Sequence, residues 1–372
     1  PPLMFNTVVD ETAYVAAVED QLRAIVTKGI ADPLGTMNAE LQPYAALCTS
    51  AVTSGGKRLR PRFAYWGWRA GDGSPGTWSQ IVTVGVSLEL LHAAILVHDD
   101  IIDSAPLRRG VPSVRAALAS RHRERQWTGE ATEFGDHAAL LLGDLLWAAA
   151  QDTIADAVAE IPRARGEDVT KQFRAMRLEV MAGQLLELDA QAARLFTDDA
   201  ADKIVAYKTS KYTVERPVAL GLTIADASTE NRLALNRFAV ATGRAFQLRD
   251  DLADLYGPAG ASGKTAGGDI RDGKPTALLG TALRLATETQ HRTLTVVVGD
   301  PQADQVAIDE VKQIFVHTGA VATMKNRVDE LAGSARRALS DHGENLSSAV
   351  VEALHGVLDE CTDLSFLAEH VD

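Results

Sequence analysis

The chain has 372 residues, 46% of them hydrophobic, enough to bury a large core, and at that length two domains are a reasonable prior. Its net charge of −13 and pI near 5.2 argue against bulk nucleic-acid binding, which needs basic surface, so no nucleic-acid partner is expected. Two cysteines, Cys48 and Cys361, sit in no metal or redox spacing, which argues against a disulfide framework and fits a reducing compartment.

No signal-peptide pattern opens the sequence, and no uncharged apolar run reaches the ~20 residues of a membrane span. The longest candidate, Val84 to Val97, is broken by Glu89 and His92. The expectation is a cytoplasmic protein without a membrane span. Alternating strand patterns are scarce, and helical spacing dominates. It predicts helices near 10–29, 36–53, 60–71, 78–103, 112–120, 134–158, 168–190, 200–208, 211–225, 229–255, 276–288, 303–317, 319–341 and 346–368. Val296-Val297-Val298 is the clearest β-like run, too short for a sheet. Turn residues predict loops at 71–76 and 104–112, and the charged stretch 121–133 reads as solvated. No tandem repeat or long linker divides the chain. One all-α domain over 1–372, a helical bundle, is the simplest architecture.

Two acid clusters stand 151 residues apart, Asp99-Asp100-Ile101-Ile102-Asp103 and Asp250-Asp251-Leu252-Ala253-Asp254. Each reads DDxxD and each ends an apolar helical run. At ~3.6 residues per turn, Asp99 and Asp103 share one helix face, as do Asp250 and Asp254. Like charges at that spacing repel, and acids near a helix C-terminus oppose the macrodipole. The fold gains nothing from them without a cation. Mg²⁺ suits them, because it takes oxygen ligands and bridges carboxylates to phosphates.

Cations cluster nearby in sequence. Lys57, Arg58, Arg60 and Arg62 follow Gly55-Gly56, and Arg108-Arg109-Gly110 follows the first acid cluster. Lys208, Thr209 and Lys211 form a third group. Lys264 and Lys274 lie in a stretch with six glycines between Gly257 and Pro275, the candidate lid. Arginine suits bidentate phosphate recognition. An acidic chain that concentrates cations this way fits a small diphosphate ligand better than a polymer.

These motifs resemble the trans-isoprenyl diphosphate synthases of the polyprenyl synthetase family. The resemblance spans roughly 50–280 and rests on GGKRLRP at 55–61, HDDIID at 98–103, LRRG at 107–110, GQLLELD at 183–189, YKT at 207–209, FQLRDDLAD at 246–254 and GGDIRDGK at 267–274. The segment 121–146 is similar to actinobacterial members. The resemblance implies the isoprenoid-synthase bundle with a central cavity, a homodimer, and three Mg²⁺ ions per active site. It implies that Asp99, Asp103 and Asp250 ligate Mg²⁺, assisted by Asp100, Asp251 and Asp254. It assigns Lys57, Arg60, His92 and Arg109 to isopentenyl diphosphate. It assigns Arg108, Lys208, Gln247, Lys264 and Lys274 to the allylic diphosphate (dimethylallyl, geranyl or farnesyl), with Lys208, Thr209 and Gln247 at the reacting carbons.

The activity implied is head-to-tail condensation of the two diphosphates. Ala94 and Ile95, about one turn before Asp99, are the candidate chain-length residues. In the family a bulky aromatic at the Ala94 position tends to stop growth early, so a C20 geranylgeranyl product is expected. Longer polyprenyl or farnesyl products are the alternatives. A terpene synthase shares the fold but usually lacks the second DDxxD and has no need of a second diphosphate site. A non-catalytic partner subunit usually loses an acid cluster, and this chain keeps both.

Overall fold

The computed structural model describes residues 11–258, 267–342 and 345–368, and these are almost wholly helical, as the periodicity predicts. In chain order they form α1 (Glu11–Val26), a π-helical turn (Thr27–Ala31), α2 (Asp32–Met37), α3 (Gln42–Thr53), α4 (Leu59–Ala70) and α5 (Trp78–Ile102). A hairpin of β1 (Leu107–Arg108) and β2 (Val111–Pro112) leads to α6 (Val114–Glu124), α7 (Ala131–Ala159), α8 (Arg163–Ala193) and α9 (Asp198–Ile204). A π-helical stretch (Val205–Glu215) joins α9 to α10 (Arg216–Ile224). The remainder comprises α11 (Thr229–Tyr256), α12 (Gly268–Asp272), α13 (Ala277–Leu285), α14 (Glu288–Val297), α15 (Gln305–His317), α16 (Ala320–His342) and α17 (Ser348–Thr362). Contacts group the chain into two compact units. One takes the residues to Gln172 plus Pro217–Ser228, and the other takes Phe173–Arg216 with the residues from Thr229 onward.

The first unit is built on α5. This helix is apolar all round and is buried on nearly every side, as such a helix must be. Helices α1, α3, α4, α6 and α7 pack against it. Small residues set how close they come. At Gly85 a Cβ would stand 2.4 Å from the Tyr14 hydroxyl, which donates to the Ile81 carbonyl at 3.1 Å. Tyr14 stacks on Tyr65 with ring centroids 4.7 Å apart. The Trp68 indole N–H donates to Thr77 at 2.8 Å, so the buried aromatic cluster leaves no donor unmatched at that point. Helix α10 crosses α4 backbone to backbone: a Cβ on Gly67 would lie 2.2 Å from the Val218 carbonyl oxygen, and one on Gly221 would lie 1.9 Å from that of Ala64. Cys48 is buried here, and burial pushes its thiol up to about 12.

The second unit is built on α11, packed by α13, α16, α17 and the π-helical stretch. Its core joins Leu248, Leu252 and Leu255 of α11 to Leu278, Val311, Phe315 and Val328. The Tyr256 hydroxyl donates to the Lys312 carbonyl at 2.9 Å. Glycines again permit close approach. A Cβ on Gly183 would meet the Lys208 backbone nitrogen at 2.4 Å, and one on Gly243 the Ser210 hydroxyl at 2.4 Å. Cys361 is buried in this unit.

Three sequence expectations are corrected. The β-like run at Val296 is the last turn of α14, because the Thr287–Gln290 capping box starts a helix there and overrides β-branched preference. The stretch from Arg121 is helical as far as Glu124, with His122 buried and the Arg121 guanidinium 4.7 Å over the Trp127 ring. The predicted break between 208 and 211 is unbroken helix with the wider, i→i+5 turns of a π-helix. Two helices, α5 and α7, are long and apolar enough to cross a membrane by length and composition alone, although no continuous uncharged run is; α5 is mostly buried and α7 less so.

Gly221→Ala is expected to destabilise the protein by about 1–3 kcal/mol, because backbone rather than a flexible side chain blocks the new methyl. Thermal unfolding would read this as a melting point lower by several degrees; an unchanged melting point would contradict the close crossing.

Candidate active site

The first acid cluster ends α5. Asp103 caps the helix, its N–H donating to the Asp99 carbonyl at 2.8 Å. Asp99 and Asp103 are partly exposed, whereas Asp100 is buried. The hairpin that follows turns through Arg109 and Gly110, both at positive φ (54° and 77°). Two such residues make the turn whose twist suits a tight hairpin. It carries Arg108 back over the acids: its Nε donates to Asp100 Oδ1 at 2.9 Å, and its Nη2 to Asp100 at 2.5 Å and Asp99 at 3.1 Å. The acids and Arg108 offset one another's burial.

Arg109 points the other way. Its guanidinium donates to the Gly55 carbonyl, and a Cβ on Gly56 would stand 2.8 Å from its Nη2. Gly55 and Gly56 also hold φ of 87° and 129°, which other residues rarely adopt. The basic knot before α4 is in part structural. Arg58 is buried and structural: it pairs with Glu89 of α5 at 2.6 Å and Glu19 at 3.2 Å. Arg62 likewise pairs with Glu11 at 2.6 Å. Lys57 is exposed and Arg60 partly so.

His92 lies on α5 about two turns before Asp99. Burial holds its pKa well below the ordinary histidine value, helped by the charges of Arg60, Arg109, Arg108 and Arg58. The ring is neutral at pH 7. Arg109 is itself lowered by burial, with Glu89 opposing and Arg58, Arg108 and Arg60 adding to the shift. Several guanidiniums thus crowd one histidine, an arrangement stabilised by an anion. Between His92 and Asp99 on α5, Ala94 is fully buried and Ile95 partly buried.

The second acid cluster ends α11 in the other unit. Gln247, Asp250, Asp251 and Asp254 recur at i, i+3, i+4 and i+7 and so share a face. A hydrogen-bond relay runs along it: the Thr209 hydroxyl donates to Gln247 Oε1, and Gln247 Nε2 donates to Asp251 Oδ1 at 2.6 Å. Burial raises the Asp251 carboxyl well above the ordinary range, Asp269, Asp250 and Glu187 add to this, and the Gln247 hydrogen bond opposes it. Asp250 is more open, its side chain 40% exposed and 3.0 Å from Arg249. Thr209 sits in the π-helical stretch, a conformation common at functional sites.

Lys208 and Lys274 converge on one residue that sequence reasoning gave no role. The buried Glu187 of α8 receives Lys208 at 2.5 Å and Lys274 at 3.4 Å. It lies in the GQLLELD segment, so the motif was visible but its two partners, 21 and 87 residues away, were not. Lys211 instead joins Glu179 and Glu215. Lys264 lies outside the described residues, as does 259–266 of the expected lid. Beyond it, α12 is helical between left-handed Gly267 and Gly273, and Lys274 is buried, so that end is anchored rather than loose.

The donor set fits Mg²⁺. Among the described residues no three His, Cys, Asp or Glu side chains form a ready-made metal cage. Each helix offers oxygen-only carboxylates one turn apart, which suits an ion that keeps several waters and completes its shell with phosphate oxygens.

The polyprenyl synthetase family model matches residues 42–315. A crystal structure of geranylgeranyl pyrophosphate synthase from Corynebacterium glutamicum, complexed with isoprenyl diphosphate and magnesium, is 30% identical with a TM-score of 0.89 and covers 95% of this chain and 99% of its own. The short chain isoprenyl diphosphate synthase of Methanocaldococcus jannaschii is 29% identical over 70% of this chain and 73% of its own. An all-trans-nonaprenyl-diphosphate synthase of Rhodobacter capsulatus is 30% identical over 77% of this chain and 80% of its own. Family, helical fold and motif order agree, and the chain belongs to the polyprenyl synthetase family as a prenyltransferase of the isoprenyl diphosphate synthase type.

Proposed function

We propose that the chain condenses isopentenyl diphosphate head-to-tail with an allylic diphosphate in a Mg²⁺-dependent reaction, with C20 geranylgeranyl diphosphate as the main product. The observation that carries this reading is that Arg60 and Arg109 gather around His92, while a second set of cations, Arg108, Lys208 and Lys274, is held by Asp100 and Glu187. One enzyme with two distinct diphosphate-binding sets is built to join two diphosphates. A cyclase needs only one.

Asp99, Asp103 and Asp250 would hold Mg²⁺, three ions per site, with Asp251 and Asp254 assisting; Asp100 assists by gripping Arg108. Bound there, Mg²⁺ offsets the negative charge that grows on the leaving diphosphate. Arg108, Lys208, Lys274 and Lys264 bind the allylic diphosphate. Lys57, Arg60, Arg109 and the neutral N–H of His92 hold the diphosphate of isopentenyl diphosphate. The allylic C–O bond breaks, and its electron pair leaves with diphosphate. The alkene of isopentenyl diphosphate forms the new C–C bond to the resulting cation. A proton then leaves the adjacent carbon, with the departed diphosphate as base. Thr209 and Gln247, ordered by their mutual hydrogen bond, turn oxygen dipoles toward the cation. Water must be kept out, because it would quench that cation.

The small Ala94 supports chain growth past C15. A longer product is the second reading, favoured by the same alanine and by the relative named a nonaprenyl-diphosphate synthase. The catalytic domain spans the whole chain in this proposal, and the enzyme is a cytoplasmic homodimer. Exposed leucines support the dimer: Leu140, Leu141 and Leu145 on α7, and Leu178, Leu185 and Leu188 on α8, form apolar faces of the kind that mark interfaces.

Incubation with labelled isopentenyl diphosphate, Mg²⁺ and a C5, C10 or C15 primer should give labelled prenyl diphosphate. No incorporation with any primer would overturn the proposal. Asp99→Ala and Asp250→Ala should each lower the rate by about 10³-fold with the fold intact by circular dichroism; near-normal turnover in either would remove the metal assignment. Ala94→Phe should shorten the product by chromatography, and an unchanged distribution would take Ala94 out of the argument.

Proton linkage gives a further expectation. Asp251 binds its proton more tightly folded than unfolded, so it stabilises the metal-free fold at low pH. That contribution is lost as pH rises from the ordinary carboxylate range through the raised value. Mg²⁺ needs the carboxylate ionised. The gain in melting temperature on adding Mg²⁺ should therefore grow with pH across that window, and Asp251→Asn should flatten the growth. A gain independent of pH in the unaltered protein would contradict the linkage.

A further inference from the structure

The GQLLELD segment has a physical role that the two acid clusters do not account for. Gly183 lets the backbone of the π-helical stretch approach α8 so closely that a Cβ there would lie 2.4 Å from the Lys208 nitrogen. One turn on, Glu187 is buried at 8% exposure. A single oxygen of it, Oε2, accepts from Lys208 Nζ at 2.5 Å, from Gln184 Nε2 at 3.2 Å and from Lys274 Nζ at 3.4 Å. Lys274 is buried as deeply as Glu187, while the Lys208 side chain is 24% exposed.

Two ammonium groups brought this close repel, and a buried ammonium without a counter-charge is strongly destabilising. One carboxylate on both removes the repulsion and fixes their separation. It also leaves the trio with one net positive charge, enough to draw an anion. The geometry points to Glu187 as a positioning residue: a fixed internal anion that spaces Lys208 and Lys274 to receive one diphosphate, the allylic one on the reading proposed above. Gln184 completes the clamp by donating to the same oxygen. A flexible lysine pair would have to be ordered by the substrate itself, at a cost in binding and in rate. The clamp orders it beforehand. The same logic explains why the residue is acidic in a site that binds anions. A neutral acceptor of the same shape would make similar hydrogen bonds but leave two like charges unbalanced.

The test compares the full-length protein with Glu187→Gln, which keeps shape, and Glu187→Asp, which keeps charge. Glu187→Gln should lower kcat by about 100-fold and raise the KM for the allylic primer by about tenfold, with the KM for isopentenyl diphosphate unchanged. Glu187→Asp should recover about tenfold of the lost kcat. Titration calorimetry with inorganic pyrophosphate and Mg²⁺ should show binding weakened about tenfold in Glu187→Gln. The inference is overturned if Glu187→Gln matches the unaltered enzyme in kcat and pyrophosphate affinity. Equal impairment of both variants, or equal shifts in both KM values, would also overturn it. If Glu187→Gln does not fold, Glu187→Asp decides: an intermediate kcat with a raised primer KM supports the clamp, and behaviour like the unaltered enzyme refutes it. If the unaltered enzyme incorporates no label, the functional proposal fails; if it works and only the variant comparison fails, this inference fails alone.

Discussion

The pairing of Arg58 with Glu89 at 2.6 Å is the contact on which the first unit turns. Helix α5 is buried on nearly every side, and a carboxylate in its middle would cost several kcal/mol if left unmatched. Arg58 supplies the match from a left-handed position (φ 49°) at the start of α4. The same guanidinium reaches the Val52 carbonyl at 3.2 Å and Glu19 at 3.2 Å, so one cation ties α1, α3 and α4 to α5. The glycine turn before it is then held where Arg109 can reach the Gly55 carbonyl. The order of GGKRLRP follows from this: its second basic residue builds the core, which fixes where its neighbours point.

The second unit repeats the device with other residues. A buried carboxylate, Glu187, takes two lysines, as Glu89 pairs with Arg58 and faces Arg109. Each unit therefore organises two cations around one buried acid. In a chain with a net charge of −13 this is how anion sites can exist at all. The acid clusters invert the pattern. They are anionic surpluses, with Arg108 holding both Asp99 and Asp100.

The sequence made the helical class, the DDxxD faces and the family legible, because those signals are local: spacing of three or four residues, or a contiguous motif. What it hid was pairing at a distance. Arg58 and Arg60 look alike in a basic run, and only the fold separates the core cation from the accessible one. Glu187 reads as another acid until Lys208 and Lys274 are seen on it. The valines at 296–298 misled because β-branched preference is weak beside a capping box nine residues upstream. His92 was legible only through the family, since its lowered pKa comes first from burial and then from arginines brought in from the α4 start and the hairpin.

The two cysteines fall one to each unit, Cys48 in the first and Cys361 in the second, and both are buried. A thiol pushed up to about 12 is almost wholly protonated at neutral pH and reacts slowly even before its burial is counted. Neither can be alkylated without local opening. The chain thus carries its own pair of reporters: mass-resolved thiol labelling would clock the breathing of each half separately, without a dye or an added residue.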